Sequence, residues 1–460
     1  MTAVPTLARN KTTWLPPVNR FLYGRLASIF VGAAALGVGV VDGQDVSPDA
    51  GATEAKPEFR VQSSVQEVSQ NSAGKEAVPV TNAEEGVSSA PRRFVYEFRL
   101  RLTGVYDDNI NLSHFDRISD WYFVIEPGIT LAFGDITGAE RNYIRLDYAP
   151  SGFIYASHSD NDAVQHVIRL DGGYHFPHLA LTFSQDVALL DGTNLTTTTT
   201  TGIISSSVNL DVSGRTRVNL YTTRANASYD LSTKTFLSGG IEFSVADYAT
   251  LISSRNLSAN VFINYNYSPK LVVGVGATGG YNTVDTPNED QTYEQVNVRA
   301  TYQVTGKVSL NASAGVEFRQ FQDSGVGEHV SPVYELGGTY QPFDATTINL
   351  TGTRRTMNSA VLTGQDYDVT SIIVGVRQRF FNRIYVGVRG GYEHSRYFDA
   401  LAGIGATRND DYFFIEPGID VTLTSFWTLG AFYLHRDNSS SSETFSFYDN
   451  QFGLRSSLIF

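Results

Sequence analysis

VSLNASAGVEFR, residues 308–319, alternates apolar with polar or small side chains. Successive side chains of a β-strand point to opposite faces, so this strand has one apolar face and one polar face. Residues 448–460 and 257–267 repeat the pattern, with Phe262 as the exception in the latter. Alternation by itself is also typical of a half-buried sheet in a soluble protein, so other features must decide between the two.

The spacing of the strands is the first such feature. Short turns alternate with long loops along residues 93–460, and the pattern predicts about eighteen strands, with about sixteen as the alternative. Outer-membrane barrels have this asymmetry, with tight periplasmic turns and long extracellular loops. The sequence therefore predicts an all-β fold, a transmembrane antiparallel up-and-down β-barrel with both termini periplasmic.

Aromatic residues before the short turns are the second feature. They lie in phase with the apolar face, and aromatic rings favour the headgroup level of a membrane. A girdle is therefore predicted from Phe133, Phe176, Tyr229, Tyr267, Tyr302, Tyr340, Phe380 and Phe460.

The charge on the other face is the third feature. So many charges would be costly in the dry core of a soluble sandwich, whereas water inside a wide barrel solvates them. The predicted inward charges are Glu97, Arg99, Arg101, Glu126, Arg145, Asp147, Arg169, Asp171, Glu242, Arg299, Glu317, Arg319, Glu335, Arg377, Arg379, Arg389, Glu393 and Glu416.

The composition excludes several functions. The chain has a net charge of −13, which disfavours nucleic acid as a partner because phosphate binding needs a basic face. It has no cysteine, which excludes disulfides, thiol catalysis and lipid attachment at a cysteine.

The N-terminal part differs from the barrel. A basic segment followed by the apolar run 26–41 predicts a signal peptide over residues 1–43, because the run is short for a membrane-spanning helix. Residues 44–92 are rich in Ala, Ser, Val, Glu and Pro, which predicts a disordered periplasmic tether, with a peptidoglycan- or partner-binding tail as the alternative.

A short motif after the first predicted strand resembles a known family. Tyr106-Asp107-Asp108-Asn109-Ile110 is similar to the opening motif of the putative β-barrel porin 2 group, as is the Ser-Pro-Lys turn at 268–270. The resemblance covers roughly residues 93–460. It implies a Gram-negative outer-membrane barrel, and some members are similar to barrels associated with exopolysaccharide export.

The function predicted from these features is a porin-like channel for passive passage of small or acidic hydrophilic solutes. A barrel of about eighteen strands leaves an aqueous lumen, whereas about eight strands fill their own interior. The candidate solute path is Arg299, Glu317, Arg319, Arg355, Arg377, Arg379, Arg389 and Glu393. A salt-bridge network that only stiffens the wall is the other interpretation of these charges.

Two further functions stay open: a non-conducting structural or interaction barrel associated with polysaccharide export, and an outer-membrane hydrolase. Catalysis is disfavoured because no histidine lies in a recognisable catalytic motif. No cofactor and no metal site are predicted. The expected partners are outer-membrane lipid, lipopolysaccharide and the barrel-insertion machinery, which would read Phe452, Leu454, Leu458 and Phe460 as an assembly signal.

Three local features complete the predictions. Acidic pairs such as Asp107-Asp108 and Asp410-Asp411 are predicted to be solvated loop tips. The long loop near 190–215 is predicted to be exposed and mobile, with a constriction loop inside the lumen as the alternative. Glu126-Pro127-Gly128 is echoed by Glu416-Pro417-Gly418, and proline there predicts a local bulge.

Overall fold

The structure, a computed structural model, describes residues 94–134, 142–197, 205–406 and 408–460. The predicted signal peptide 1–43 and tether 44–92 lie outside the described residues, so these two predictions stay predictions. Within the described part, no helix is long and apolar enough to cross a membrane.

Alternating side chains produce long strands throughout the described residues. The strands are β1 Phe94–Asp107, β2 Asp120–Gly134, β3 Tyr143–Tyr155, β4 Ala163–His175, β5 Leu179–Gly192, β6 Leu195–Thr197, β7 Ser205–Ser207, β8 Thr216–Asp230, β9 Thr235–Tyr248, β10 Ser254–Ser268, β11 Leu271–Val284, β12 Gln291–Thr305, β13 Val308–Phe321, β14 His329–Tyr340, β15 Thr346–Asn358, β16 Gln365–Phe380, β17 Ile384–Asp399, β18 Asn409–Thr424, β19 Trp427–Ser440 and β20 Phe447–Ile459. Two 3₁₀ turns, Ser159–Asn161 and Glu443–Phe445, lie in loops.

Eighteen of these strands form one antiparallel sheet that closes on itself, and β6 and β7 pair separately within the loop between β5 and β8. The closure is between β1 and β20, where Arg99 lies opposite Ile459. The N–H of Phe460 also donates to the carbonyl of Phe98 at 2.8 Å. The predicted up-and-down barrel of about eighteen strands is confirmed, and the alternative of sixteen is wrong.

The outward face of the barrel is apolar. Val261, Val298, Val316, Val374 and Val388 are all exposed, as expected of side chains that face hydrocarbon. So are the predicted girdle residues Phe133, Phe176, Tyr229, Tyr267, Tyr302, Tyr340, Phe380 and Phe460. These rings lie at one end of the barrel, which we call the short-turn end; both ends of the described barrel chain lie there, and the opposite end is the long-loop end.

The bulges predicted at the two Glu-Pro-Gly motifs are wrong. Pairing between β2 and β3 stops after Ile125–Gly152 and resumes at Ile129–Tyr148 in the same register. The β18–β19 ladder is likewise interrupted around Pro417 without a shift in register. Proline removes a backbone donor, which breaks the ladder locally, but here no residue is inserted.

Candidate functional site

A belt of ion pairs lines the inner wall. Register places the charged residues of adjacent strands side by side, and carboxylates and guanidiniums alternate around the belt. The pairs are Arg99–Asp147 at 2.5 Å, Arg145–Asp171 at 2.9 Å, Arg224–Asp186 at 3.2 Å, Arg224–Glu242 at 2.8 Å, Arg389–Glu416 at 2.7 Å and Arg455–Asp420 at 2.7 Å. Most of these charges therefore compensate one another instead of being solvated singly.

The Arg455–Asp420 pair spans β19 because the intervening residue is a glycine. A Cβ at Gly430 would lie 2.1 Å from Asp420 Oδ1 and 2.7 Å from Arg455 Nε. Arg455 can thus reach Asp420 two strands away and hold it with two hydrogen bonds, at 2.8 and 2.7 Å.

The structure joins some of the candidate path residues to their neighbours. Arg319 Nε donates to Glu317 at 2.8 Å, and both side chains are buried. Arg299 donates to Asn264 at 2.8 Å and lies over the ring of Phe262 at 4.1 Å. These hydrogen bonds and the ring contact hold the side chains of one region of the inner wall in place.

Other candidate path residues lie apart from that group. Arg389 is bonded to Glu416, and Arg377 lies over the ring of Tyr385 at 4.3 Å. Arg379 forms no ion pair with any residue that the structure describes. Arg355 on β15 interacts electrostatically with Glu393 on β17, so these two candidate residues are close enough to attract one another.

An apolar cluster on the inner wall was not predicted from the sequence. Val105, Tyr122, Val124, Phe153 and Tyr155 are buried together near the long-loop end. Register aligns them with the inward charges, since Arg101 lies opposite Glu126 on the same two strands as Val105 and Tyr122. Trp121 and Tyr122 are adjacent, so their side chains lie on opposite faces of β2. This pair could have indicated that both faces of the strand are apolar there.

The described residues at the start of the loop after β5 lie against the inner wall of the barrel. Asn194 is buried, accepting hydrogen bonds from Arg436 at 3.0 Å and Gln451 at 3.2 Å. Its carbonyl accepts a bond from the buried side chain of Gln165 at 2.8 Å. Because these partners lie on β19, β20 and β4, the exposed-loop interpretation is wrong for this part of the loop, and the constriction interpretation is supported.

The far part of the same loop is fixed by Asp211. Its carboxylate accepts hydrogen bonds from the Ala360 N–H at 2.6 Å, the Ser359 hydroxyl at 2.8 Å and the Tyr397 hydroxyl at 2.9 Å. Arg408 donates to the Asp211 carbonyl at 2.9 Å. We call this set of contacts the Asp211 junction.

The outer part of the β15–β16 hairpin also lies over the lumen. β14 and β15 pair only from Tyr334 to Tyr340, so the outer part of the hairpin leaves the wall. Asp366 then accepts a hydrogen bond from Gln291 on β12 at 3.2 Å, and the N–H of Gly364 donates to Asn288 at 2.7 Å. The loop and this hairpin meet at the Asp211 junction and together narrow the long-loop end.

A cavity lies between the loop and the inner apolar cluster. Apolar groups dominate its lining, and its polar groups include Glu126, Glu416 and Arg455. Both Glu-Pro-Gly motifs therefore contribute to one cavity, from β2 and β18 on either side of the closure.

The Tyr-Asp-Asp-Asn-Ile motif joins the first and last strands of the barrel at the long-loop end. Asp107 accepts a hydrogen bond from Gln451 at 2.9 Å, and Asp108 accepts one from Asn450 at 2.8 Å. Asn109 donates to the carbonyl of Tyr448 at 2.8 Å. The prediction that acidic pairs are solvated loop tips is thus wrong for Asp107, and also for Asp410, which is buried and bonded to Arg408 at 2.6 Å.

Asp107, Asp108 and Asp449 offer carboxylate oxygens within 4.8 Å of one another. Arg436 donates to Asp449 at 2.7 Å and Arg117 pairs with Asp108 at 2.8 Å. These cations pair with two of the carboxylates, and Gln451 and the Asn109 N–H donate to the third, Asp107, so the cluster is explained as part of the strand network.

Three histidines lie beside carboxylates in the structure. His158, His329 and His394 lie near Asp120, Asp368 and Asp411 at 3.0, 3.3 and 2.9 Å. In the described part of the chain, none of these rings is also hydrogen-bonded to a serine, so no Ser-His-Asp arrangement is formed there.

The predicted assembly residues lie on the outer face of β20. Phe452, Leu454 and Phe460 are exposed, and Phe460 stacks on Phe426 with ring centroids 6.1 Å apart. Their role as a signal to the insertion machinery stays a prediction.

Comparison with known proteins gives one family match. A family model described as putative beta-barrel porin 2 matches residues 93–458. No curated protein matches the sequence.

Several solved structures resemble the barrel. OpdK from Pseudomonas aeruginosa, solved with vanillate, is 13% identical, with a TM-score of 0.40 over 79% of this chain and 99% of that one. OccAB3 from Acinetobacter baumannii is 11% identical, with a TM-score of 0.41 over 79% and 99%. The copper transporter OprC is 10% identical, with a TM-score of 0.40. The match covers 77% of this chain and 63% of OprC.

Proposed function

The chain belongs to the putative beta-barrel porin 2 family and is a Gram-negative outer-membrane β-barrel, and from that premise we propose that it is a passive channel for small hydrophilic solutes. The observation that carries the proposal is the closed wall of eighteen strands with charged residues around its inner face. A barrel of this size class encloses more space than its own side chains fill.

The inward loop would set the size limit of the channel. Asn194 attaches the loop to β4, β19 and β20, and Asp211 attaches it to β17 and to the β15–β16 hairpin, so solutes would pass beside it. Attachment by hydrogen bonds at both ends favours a fixed constriction, which selects solutes by size.

Arg377 and Arg379 support a preference for acidic solutes. They lie on the inner face of β16 near the short-turn end, and Arg379 has no carboxylate partner among the described residues. A guanidinium beside a wet path attracts carboxylates and phosphates. Arg389 contributes less, because Glu416 compensates its charge.

A non-conducting barrel is the second candidate, and the Asp211 junction favours it. The loop and the β15–β16 hairpin meet there, and Asp211, Ser359 and Ala360 are all buried. In that case the barrel would act through partners, and components of polysaccharide export are the class that the family resemblance implies.

Liposome swelling tests the proposal. Proteoliposomes with the wild-type protein should swell in arabinose and much less in the larger sugar stachyose. A variant with both loop attachments removed, Asn194→Ala/Asp211→Ala, should swell faster and admit stachyose. Asn219→Ala is the matched control, because Asn219 lies on the outer face of β8. Swelling of the double variant alone would support the closed barrel, and no swelling of either folded protein would contradict the channel.

A further inference from the structure

The two Glu-Pro-Gly motifs have no part in the proposed path, yet they meet at one cavity. Glu126 and Glu416 both line it, together with Arg455 and the aromatic residues Tyr122 and Phe153. The two rings lie 6.1 Å apart, between centroids. Asn194 and Leu195 also line it, so the loop forms one of its walls.

The shape of the cavity depends on a second close approach to glycine. A Cβ at Gly453 would lie 2.1 Å from the ring of Phe432, so glycine lets this ring lie flat against β20. The ring then forms an apolar wall beside Arg455. Rings on such walls bind the faces of other rings through dispersion and apolar burial.

The charges around the cavity are balanced. Glu126 lies 3.6 Å from Arg101, Glu416 lies 2.7 Å from Arg389 and Arg455 lies 2.7 Å from Asp420. A charged ligand would therefore find no uncompensated partner and would lose its hydration. The cavity fits an uncharged ligand best.

One buried carboxylate oxygen indicates that the ligand carries a hydrogen-bond donor. Glu126 is buried, and its Oε2 lies 3.6 Å from Arg101 Nη1, close enough for charge compensation but too far for a hydrogen bond, so this oxygen accepts none from any described residue. A buried carboxylate oxygen needs donors, because leaving it unsatisfied costs free energy. A hydroxyl group on the ligand would supply the missing donor.

We propose that this cavity is a binding subsite for a small uncharged ring compound that carries hydroxyl groups, such as a phenol. The predominance of apolar lining favours an aromatic ring with one or two hydroxyls over a sugar with many. The subsite goes beyond the proposed preference for acidic solutes by adding an uncharged class, and it rests on the channel function only in that solutes must reach the lumen.

Titration calorimetry with the purified full-length protein in detergent tests the subsite. Resorcinol should bind at one saturable site, whereas benzoate, benzylammonium and glucose should bind at least about tenfold more weakly, which corresponds to about 1.4 kcal/mol. Val124→Trp should abolish resorcinol binding by filling the cavity. Glu126→Gln should weaken it about tenfold, because a charged acceptor makes the stronger hydrogen bond.

Glu335→Gln is the control, because Glu335 lies on the inner face of β14 away from the cavity, and it should bind resorcinol like the wild type. Val105→Phe is a second filling variant and should also abolish binding; heat-modifiable migration on gels identifies which variants fold. Resorcinol binding that survives in a folded filling variant would overturn the proposal, as would equal binding of benzoate or a preference for glucose. The assay does not require conduction, so binding by a protein that is silent in bilayers would refute the channel and retain the subsite.

Discussion

Asn194 in the inward loop accepts a hydrogen bond from Arg436 on β19 at 3.0 Å, although 242 residues separate them in the sequence. Arg436 is also bonded to Asp449, and Asn194 is also bonded to Gln451. The loop is therefore attached to the same network that joins the last strands to Asp107 on the first. Closure of the barrel and placement of the loop depend on shared residues.

Replacing Asn194 with alanine should release this part of the loop. The change removes the acceptor of two buried side chains, at a cost of about 1–3 kcal/mol if they stay unsatisfied. We expect larger single-channel conductance with more current fluctuation, and faster cleavage of the loop by added protease. Asn219→Ala should leave both unchanged. Wild-type conductance and cleavage in Asn194→Ala would show that the loop is held by other contacts.

The Asp211 junction should respond to pH. Burial raises the pKa of the Asp211 carboxyl, and the hydrogen bonds from Ala360, Ser359 and Tyr397 offset this only in part. A carboxyl whose pKa is raised binds its proton more tightly in the closed arrangement. The junction is then strongest below the ordinary carboxyl pKa, and it weakens as pH rises through the raised value. Arg408, the cation beside Asp211, is also paired with Asp410.

We therefore expect channel conductance to increase as pH rises above the ordinary aspartate pKa of roughly 3.9. Asp211→Asn keeps the shape of the side chain but cannot titrate, so its conductance should vary less with pH. The measurement is single-channel recording of both proteins as the pH is raised above that value. An unchanged pH dependence in Asp211→Asn would assign the effect to another group.

The two faces of β10 should tolerate arginine differently. Val261 is exposed on the outer face, whereas Asn260 points to the lumen. Arginine at a lipid-facing site near the middle of the membrane costs roughly 2–4 kcal/mol. Val261→Arg should therefore lower the free energy of unfolding by that amount in a denaturant titration in lipid vesicles, and Asn260→Arg far less. Equal losses would argue against the assignment of the faces.

The terminal residue should matter for assembly more than for packing. Phe460 is exposed and contacts Phe426, so its deletion removes little buried area, and besides this contact it removes only the two backbone hydrogen bonds with Phe98. As the end of the predicted assembly signal, however, its loss should lower the amount of protein in the outer membrane and increase periplasmic degradation. Phe426→Ala removes the same ring contact and serves as the control. Equal outer-membrane levels of the deletion variant and wild type would refute the signal.

The strands and their faces could be predicted from the sequence because alternation is local. The alternation from Val308 to Arg319, for example, identifies both faces of β13 without information from any other strand. The mean spacing of turns then predicted the number of strands, and the family resemblance agreed. The charged residues of the inner wall could be recognised in the sequence, but which of them form ion pairs depends on the register of the strands.

The contents of the lumen could not be predicted in the same way. Asn194 and Asp211 lie in a polar loop whose sequence is typical of exposed segments, and their partners are distant in the sequence. The meeting of Glu126 and Glu416 also depends on closure between β1 and β20, which no local pattern encodes. Only the echo between the two motifs indicated that these residues are related.

Planar-bilayer recording of the wild-type protein tests the central claim, that the lumen conducts, most directly. We expect ohmic current steps with a preference for anions. The preference should fall in Arg377→Ala/Arg379→Ala and change less in Arg389→Ala, whose charge is compensated by Glu416. Silent bilayers from folded, heat-modifiable wild-type protein, together with silent bilayers from Asn194→Ala, would contradict the channel and establish a closed barrel.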